Sequence, residues 1–578
     1  MIPTRPELVG SFGMVASTHW LASAAGMSVL ERGGNAFDAA VAAGFVLQVV
    51  EPHLNGPGGD LPAVVWSAGE RSVHVVCGQG VAPATATIAQ FDDLGLTLVP
   101  GTGLLAATVP GAFGAWTLML ERWGTWELAD VLEYALHYAE QGFPVLPSIA
   151  RTIDAVSSLF SEHWQSSATA WLDDGGAPAA GSTWRSPALA ATYRRIAAHA
   201  VGATREQRIQ VARDSWYRGF VADEIDAFCR TAWRDSSGRD HDGLLCADDL
   251  ARWQPSVERP VGVDFADHYE VFKTGAWGQG PVLLQQLRLL EARGIADIPA
   301  RSAEWFHLIV EMAKLALADR EAWYGDAREA PLDVLLSRDY AARRAALVTD
   351  QASLELRPGA PGGREPRLAT LPDVAIGGAG VGEPTRGDTC HVDVVDRWGN
   401  LVSATPSGGW LQSSPMIPSL GFALGTRAQM FFLEDGLPNS LRPGVRPRTT
   451  LSPSLALRDG EPWLAFGTPG GDSQDQWQLP FLLDVMLGGA GLQAAIEAPT
   501  FHTNHAPSSF YPRSAAPGEV EIEDRVDARV LADLRERGHR LTVQGPWTLG
   551  RLSAVSREGG VLRAGANPRG AQGYAAGR

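Results

Sequence analysis

The sequence predicts an α+β fold, on three observations. Asp38 through Val50 is a strongly apolar, Ala-rich run that reads as a buried helix. The middle of the chain reads as mainly helical, from about Val109 to Gly142 and again from Ser302 to about Tyr324. Beyond Thr389 the pattern turns to short, β-branched, alternating runs set between turn residues, which read as strands.

In chain order, Gly33-Gly34-Asn35 is a turn with Asn35 as a helix N-cap candidate for the run that follows. Asn55-Gly56-Pro57-Gly58-Gly59-Asp60 is a tight turn feeding a strand over Leu61–Trp66, so the first region, to about Pro83, mixes helix and strand. Trp126 to Glu133 is amphipathic, and Ser302-Ala303-Glu304-Trp305 caps the long central helix. From Arg357 to Arg386 Gly, Pro, Arg and Glu dominate, which reads as a mobile, exposed linker. Asp396-Arg397-Trp398-Gly399-Asn400 is a hairpin turn between Val392–Val395 and Leu401–Thr405. Strands also fit Ser454–Leu457 and Pro462–Phe466 around Asp459-Gly460, with a helix and strands from Val526 to Val555. No repeat of solenoid period is present.

The chain has 578 residues, and its net charge of −17 argues against a nucleic-acid partner, which needs a basic surface. Cys77, Cys229, Cys246 and Cys390 form no CxxC pair, so neither a disulfide framework nor a zinc knuckle is indicated. The first residues lack the apolar run of a secretory signal, and no stretch is apolar enough to span a bilayer; a cytoplasmic location without membrane contact is the expectation.

Thr389 stands where the loose linker meets a buried strand, in Gly387-Asp388-Thr389-Cys390-His391, which is an odd place for a hydroxyl unless the chain is cut there. Cleavage of the Asp388–Thr389 bond makes Thr389 an N-terminal residue. Its α-amine, with a reference pKa of about 7.7–8.0, then serves as base for its own hydroxyl, and no His or Asp triad is required. To free the amine, the hydroxyl first attacks the Asp388 carbonyl and the ester is hydrolysed. Gly467-Thr468-Pro469-Gly470-Gly471-Asp472 follows a strand, and its consecutive glycines suit an oxyanion hole, or simply a loop. Arg448-Thr449-Thr450-Leu451-Ser452-Pro453 supplies hydroxyls that elsewhere are caps or turns.

Cys390 beside His391 is a second nucleophile candidate, but neighbours on a strand point to opposite faces, and a buried structural Cys is the better reading. His502 and His505 are spaced for a metal, yet no acidic third ligand accompanies them. Gly378 to Gly382 is glycine-rich but lies in the linker, without the strand and helix of a dinucleotide site. No cofactor or metal is called for.

The order of these segments resembles the γ-glutamyltransferase (glutathione hydrolase) family of N-terminal-nucleophile hydrolases. The resemblance also rests on Gly13-Met14-Val15-Ala16-Ser17, on Gly33 to Ala42, on Leu308, Glu311, Lys314 and Asp319-Arg320, and on Asp388 to Asp396 with Gly399-Asn400. It implies an αββα four-layer sandwich, two stacked antiparallel sheets between helix layers. It also implies a proenzyme cut into a large subunit, 1–388 (with the linker at about 357–386), and a small catalytic subunit, 389–578, that remain associated as an αβ heterodimer. Pairing of two such units stays open.

By this resemblance Thr389 is the nucleophile, Ser407 the second hydroxyl that orients its amine, and Gly470 and Gly471 the oxyanion-hole glycines. Thr449 and Thr450 stand where the family has a substrate-gripping Ser pair. Two positions depart from the pattern: the family's carboxylate-binding Arg falls on Gln79, and its ammonium-binding Asp falls on Phe432. The lid region between Phe432 and Thr449 is short. Arg427, Arg442, Arg446 and Arg448 are candidates to supply the missing cation. The expected activity is hydrolysis or transfer of an amide or acyl group on a small molecule that is not a standard γ-glutamyl compound. The alternatives are a small-acyl or oxalyl specialist, such as an oxamate amidohydrolase or a hydrolase of a C–C bond next to a carbonyl, and a relative that folds without maturing.

Overall fold

The computed structural model describes residues 3–326, 330–371 and 388–578. Two seven-stranded sheets organise the chain. The first runs Tyr574–Gly577, Gly13–Ser17, Val392–Asp396, Leu401–Ala404, Leu61–Ser67, Ser72–Gly78 and Ser256–Glu258, edge to edge. The second runs Leu8–Gly10, Val561–Ala566, Ser553–Glu558, Glu461–Gly467, Ser454–Arg458, Tyr269–Lys273 and Val261–Phe265. Every pairing in both is antiparallel.

The period of two in these strands produces the layers. Val392 and Val394 face a helical layer, packed with Ala39, Phe45 and Val49 of the helix Ala36–Val50. Val395, from the same strand, faces the other sheet, in a core with Met14, Leu401, Leu455, Ala465 and Val555. Leu464, Phe466 and Ala554 of the second sheet pack outward on the helices Pro281–Glu291, Ala303–Trp323 and Gln474–Met486. The result is the αββα four-layer sandwich.

Local chemistry accounts for the helix limits. Asn35 caps its helix by accepting from Phe37 N and Asp38 N, so the helix begins at Ala36, ahead of the expected Asp38. Asp38 is itself fully buried and accepts from Thr125 N at 2.8 Å and Trp126 N at 3.0 Å. That grip turns the chain after Gly124, so the segment expected as helical over about Val109–Gly142 forms two helices, Ala112–Trp123 and Leu128–Gln141. Ser302 caps the central helix as expected. The hairpins at Asp396–Asn400 and Asp459-Gly460 join the expected strands, the second with a register shift between Ala456 and Leu457.

The start of the expected exposed linker is a correction. Gly359 and Pro361 are buried: Gly359 N donates to Asp319 Oδ1 at 2.6 Å, and its carbonyl accepts from Trp323 Nε1 at 3.0 Å. The Asp319 carboxylate fixes this stretch, which composition could not register. The rest of the linker after residue 371, including Gly378 to Gly382, lies outside the described residues.

One fully buried ion pair ties the second sheet to its helix layer. Lys273 Nζ lies 3.1 Å from Asp475 and also donates to Ser454 Oγ at 2.6 Å and Gln478 Oε1 at 3.1 Å. Removing one partner strands a charge in the core. Lys273→Met is expected to cost about 3–5 kcal/mol in urea unfolding, and Lys273→Met with Asp475→Leu to recover most of it. Equal stability of Lys273→Met and the parent would show that the pair carries no such weight.

Candidate active site

Thr389 sits at the mouth of the strand Val392–Asp396 and is bridged to Ser407 on the chain leaving Leu401–Ala404. It is only 3% exposed. Its Oγ1 donates to Ser407 Oγ at 3.3 Å, and Ser407 Oγ donates to the Asp388 carbonyl at 3.2 Å. The Thr389 N–H donates to Asp388 Oδ1 at 2.9 Å. The carboxylate's other oxygen is in salt-bridge contact with Arg551, and the amide of Gly470 lies against the same group. Burial nevertheless outweighs these partners and raises the Asp388 pKa.

Gly470 and Gly471 follow the strand Glu461–Gly467 of the facing sheet, so the loop meets Thr389 across the gap between sheets. Gly470 has φ +127, and a Cβ there would lie 2.0 Å from the Trp477 ring, so both backbone and space demand glycine. The loop is held by Asp472, which pairs with Arg320 and accepts from Ser509 Oγ at 2.6 Å and Ser509 N at 2.8 Å. Arg320 also donates to Gln279 Oε1 at 2.7 Å, and Gln279 Nε2 donates to the Gly471 carbonyl at 3.3 Å. Burial acts to raise the Asp472 pKa, but Arg320 and the Ser509 donors prevail and it is lowered. Beyond the loop opens a cavity of about 350 Å³, lined by Gly470, Gly471, Asp472, Trp410, Gln429 and Phe510 among others.

The remaining predicted residues are less directly placed. Thr449 Oγ1 accepts from Leu451 N at 3.3 Å, the act of a turn cap, whereas Thr450 Oγ1 is buried without a partner. Gln79 lines a separate cavity of about 580 Å³ with Cys77, Trp253, Glu258 and Arg446. It also contacts the Asp60 carboxylate, whose backbone pairs with Ser407. Phe432 is buried beneath the Arg513 guanidinium, 4.3 Å from its ring. Three of the four arginines suggested from sequence are paired with carboxylates. Arg427 is bidentate to Asp60 at 2.8 Å, Arg446 pairs with Glu258 at 2.6 Å and Asp326 at 2.7 Å, Arg448 pairs with Glu321 at 2.7 Å, and Arg442 is exposed. Among the described residues, the cation in contact with Asp388, next to Thr389, is Arg551, which sequence reasoning missed.

Cys390 and His391 point to opposite faces, as expected. Cys390 Sγ lies 3.0 Å from Glu51, while His391 Nε2 meets Asp393 at 2.9 Å. His502 packs on the Trp477 ring, and His505 accepts from Gly518 N at 3.1 Å, so they share no ligand position. His307, Glu311 and His539 do bring ligand atoms within 4.8 Å of one another. Glu311 there is already paired with Lys314 at 2.6 Å, a cation that opposes a metal.

Glu51 gives a pH signature to this region. Burial, opposed by donors from Cys390 and Thr18, raises its pKa to about 7 from 4.5. A raised folded-state pKa means that its stabilising effect is complete below the unfolded value and is lost as pH rises through about 7. Stability is therefore expected to fall by about 3 kcal/mol between pH 4.5 and 8 on this account. Glu51→Gln should flatten that slope in urea titrations at pH 5 and 8. An unchanged slope would assign it to other groups.

The family model for gamma-glutamyltranspeptidase matches residues 22–577. The oxamate amidohydrolase proenzyme of Klebsiella pneumoniae is 30% identical, over 98% of this chain and 99% of its own length. The glutathione hydrolase proenzyme of Bacillus subtilis subsp. natto is 29% identical, over 95% of this chain and 88% of its own. Among solved structures, LmbA2991 superposes with a TM-score of 0.96 at 56% identity, covering 100% of both chains. The cephalosporin acylase of Bacillus halodurans superposes at 0.83 with 28% identity, over 100% of this chain and 97% of its own. With this match and its αββα architecture, the chain belongs to the γ-glutamyltranspeptidase family of N-terminal-nucleophile hydrolases and is an amide-hydrolysing enzyme of that family.

Proposed function

We propose that the chain is a proenzyme cut between Asp388 and Thr389 into subunits 1–388 and 389–578, and that Thr389 then hydrolyses or transfers an acyl group. The observation that carries this reading is the relay in which Thr389 Oγ1 donates to Ser407 at 3.3 Å and Ser407 donates to the Asp388 carbonyl at 3.2 Å. Ser407 thereby polarises the bond to be broken and holds the hydroxyl beside it. Attack of Oγ1 on the carbonyl carbon forms a C–O bond. Collapse of the intermediate breaks the C–N bond, and the nitrogen takes the proton that the hydroxyl gives up. Water hydrolyses the ester, leaving a carboxylate on Asp388 and a free amine on Thr389.

In turnover that amine takes the Oγ1 proton during attack on the substrate carbonyl and passes it to the leaving group. The amides of Gly470 and Gly471 receive the oxyanion, and water resolves the acyl-enzyme. Thr450 keeps an unpartnered hydroxyl for a substrate oxygen. The subunits stay together because each sheet is built from strands on both sides of residue 388.

The acyl group is not a standard γ-glutamyl group. Its α-ammonium needs a carboxylate, and at that position stands Phe432 with the Arg513 guanidinium 4.3 Å from its ring. Cation there repels cation. The same arrangement, with the likeness to oxamate amidohydrolase, favours a small oxalyl-type acyl group as a second reading.

On a denaturing gel with intact mass, the parent protein should give two fragments, the smaller beginning at Thr389, and Thr389→Ala a single chain. An uncut parent, or Thr389→Ala cut at the same bond, would overturn the proposal. Ready turnover of a γ-glutamyl anilide would overturn the substrate reading alone.

A further inference from the structure

We propose that Arg551 is the carboxylate-binding residue of the cut enzyme, that Asp388 occupies it until cleavage, and that Thr389 therefore takes short acyl groups ending in a carboxylate. This rests on the reading of Thr389 as a nucleophile released from Asp388. In the uncut chain three groups converge on one carboxylate. Arg551 Nη2 contacts Asp388 Oδ2, Thr389 N donates to Oδ1 at 2.9 Å, and the Gly470 amide lies against it. Asp388 is thus held by one guanidinium, one amide of the glycine loop and the nucleophile's own nitrogen.

The covalent structure of Asp388 converts this into a substrate specification. Its side-chain carboxylate is joined through Cβ and Cα to the carbonyl carbon that Thr389 attacks. The first acyl group Thr389 meets is therefore four carbons long with a carboxylate at its far end, and Arg551 is set at that span. Cleavage of the C–N bond releases Asp388, whereas Arg551 remains. Its backbone N–H donates to Thr468 Oγ1 at 3.2 Å, next to the glycine loop, and the strand Ser553–Glu558 begins two residues later. The Arg551 side chain is 35% exposed, so its partner can exchange with solvent. Arg427, Arg446 and Arg448, by contrast, are held by carboxylates that cleavage at Asp388 does not remove. A guanidinium reads a carboxylate through paired, charge-assisted hydrogen bonds, so a neutral acyl chain of equal length gains nothing from it.

The test compares N-succinyl and N-butyryl p-nitroanilides on the full-length parent, Arg551→Gln and Arg551→Lys, after each is scored for cleavage at Asp388 by intact mass. The cut parent is expected to favour succinyl over butyryl in kcat/KM by roughly 10- to 100-fold. That ratio should fall towards one in Arg551→Gln and be partly kept in Arg551→Lys. Calorimetric titration of the cut parent with succinate and with butyrate reads the same preference without turnover, and it stands even where a variant fails to mature. Equal affinity for the two acids, or a succinyl preference that survives Arg551→Gln, overturns this inference while leaving the nucleophile intact. An uncut parent overturns the nucleophile reading, and this inference falls with it.

Discussion

The strand that follows Thr389 is held in place without help from the residue before it. Val392–Asp396 is paired to Gly13–Ser17 on one side and to Leu401–Ala404 on the other, with Val394 opposite both Val15 and Val402. Its alternate side chains are buried in two different cores. Thr389 is further bridged to Ser407. The glycine loop emerges from the opposite sheet, and stacked sheets lie only about 10 Å apart, so groups at the mouths of facing strands meet. A residue held this way would keep its address if the peptide bond before it were broken. That property is what an N-terminal-nucleophile mechanism asks of a fold.

The buried charges around this point divide into two kinds. Asp472 with Arg320, Asp60 with Arg427 and Lys273 with Asp475 are pairs between residues away from the proposed cut. At Asp472 the partners outweigh burial and its pKa falls. At Asp388, as at Asp60 and Asp475, burial outweighs the partners and the pKa rises. Asp388 differs from the others in lying at the proposed cut, with a partner, Arg551, whose side chain is 35% exposed.

Much of this was legible in the sequence because it is written in short-range signals. The strand at Thr389, its hairpin, the Asn35 and Ser302 caps and the glycine loop depend on residues within a few positions of one another. Their types and spacing specify backbone geometry directly. What remained hidden depends on long-range partners. Arg551 reaches Asp388 across 163 residues, and Arg320 reaches Asp472 across 152, with no local pattern to mark either. The early end of the linker escaped for the same reason, since Gly359 looks like loop chemistry until Asp319 is brought to it. Arginines cluster in sequence near Thr449, whereas Arg551, which contacts Asp388, comes from the far end of the chain.

The central claim is that Thr389 carries the acyl group. Acid-quenching the protein during turnover of a slow acyl substrate, followed by peptide mass spectrometry, tests it most directly. The account predicts the acyl mass on a peptide whose first residue is Thr389, on that residue. An adduct on Cys390 or another side chain, or turnover with Thr389 still joined to Asp388, would contradict it.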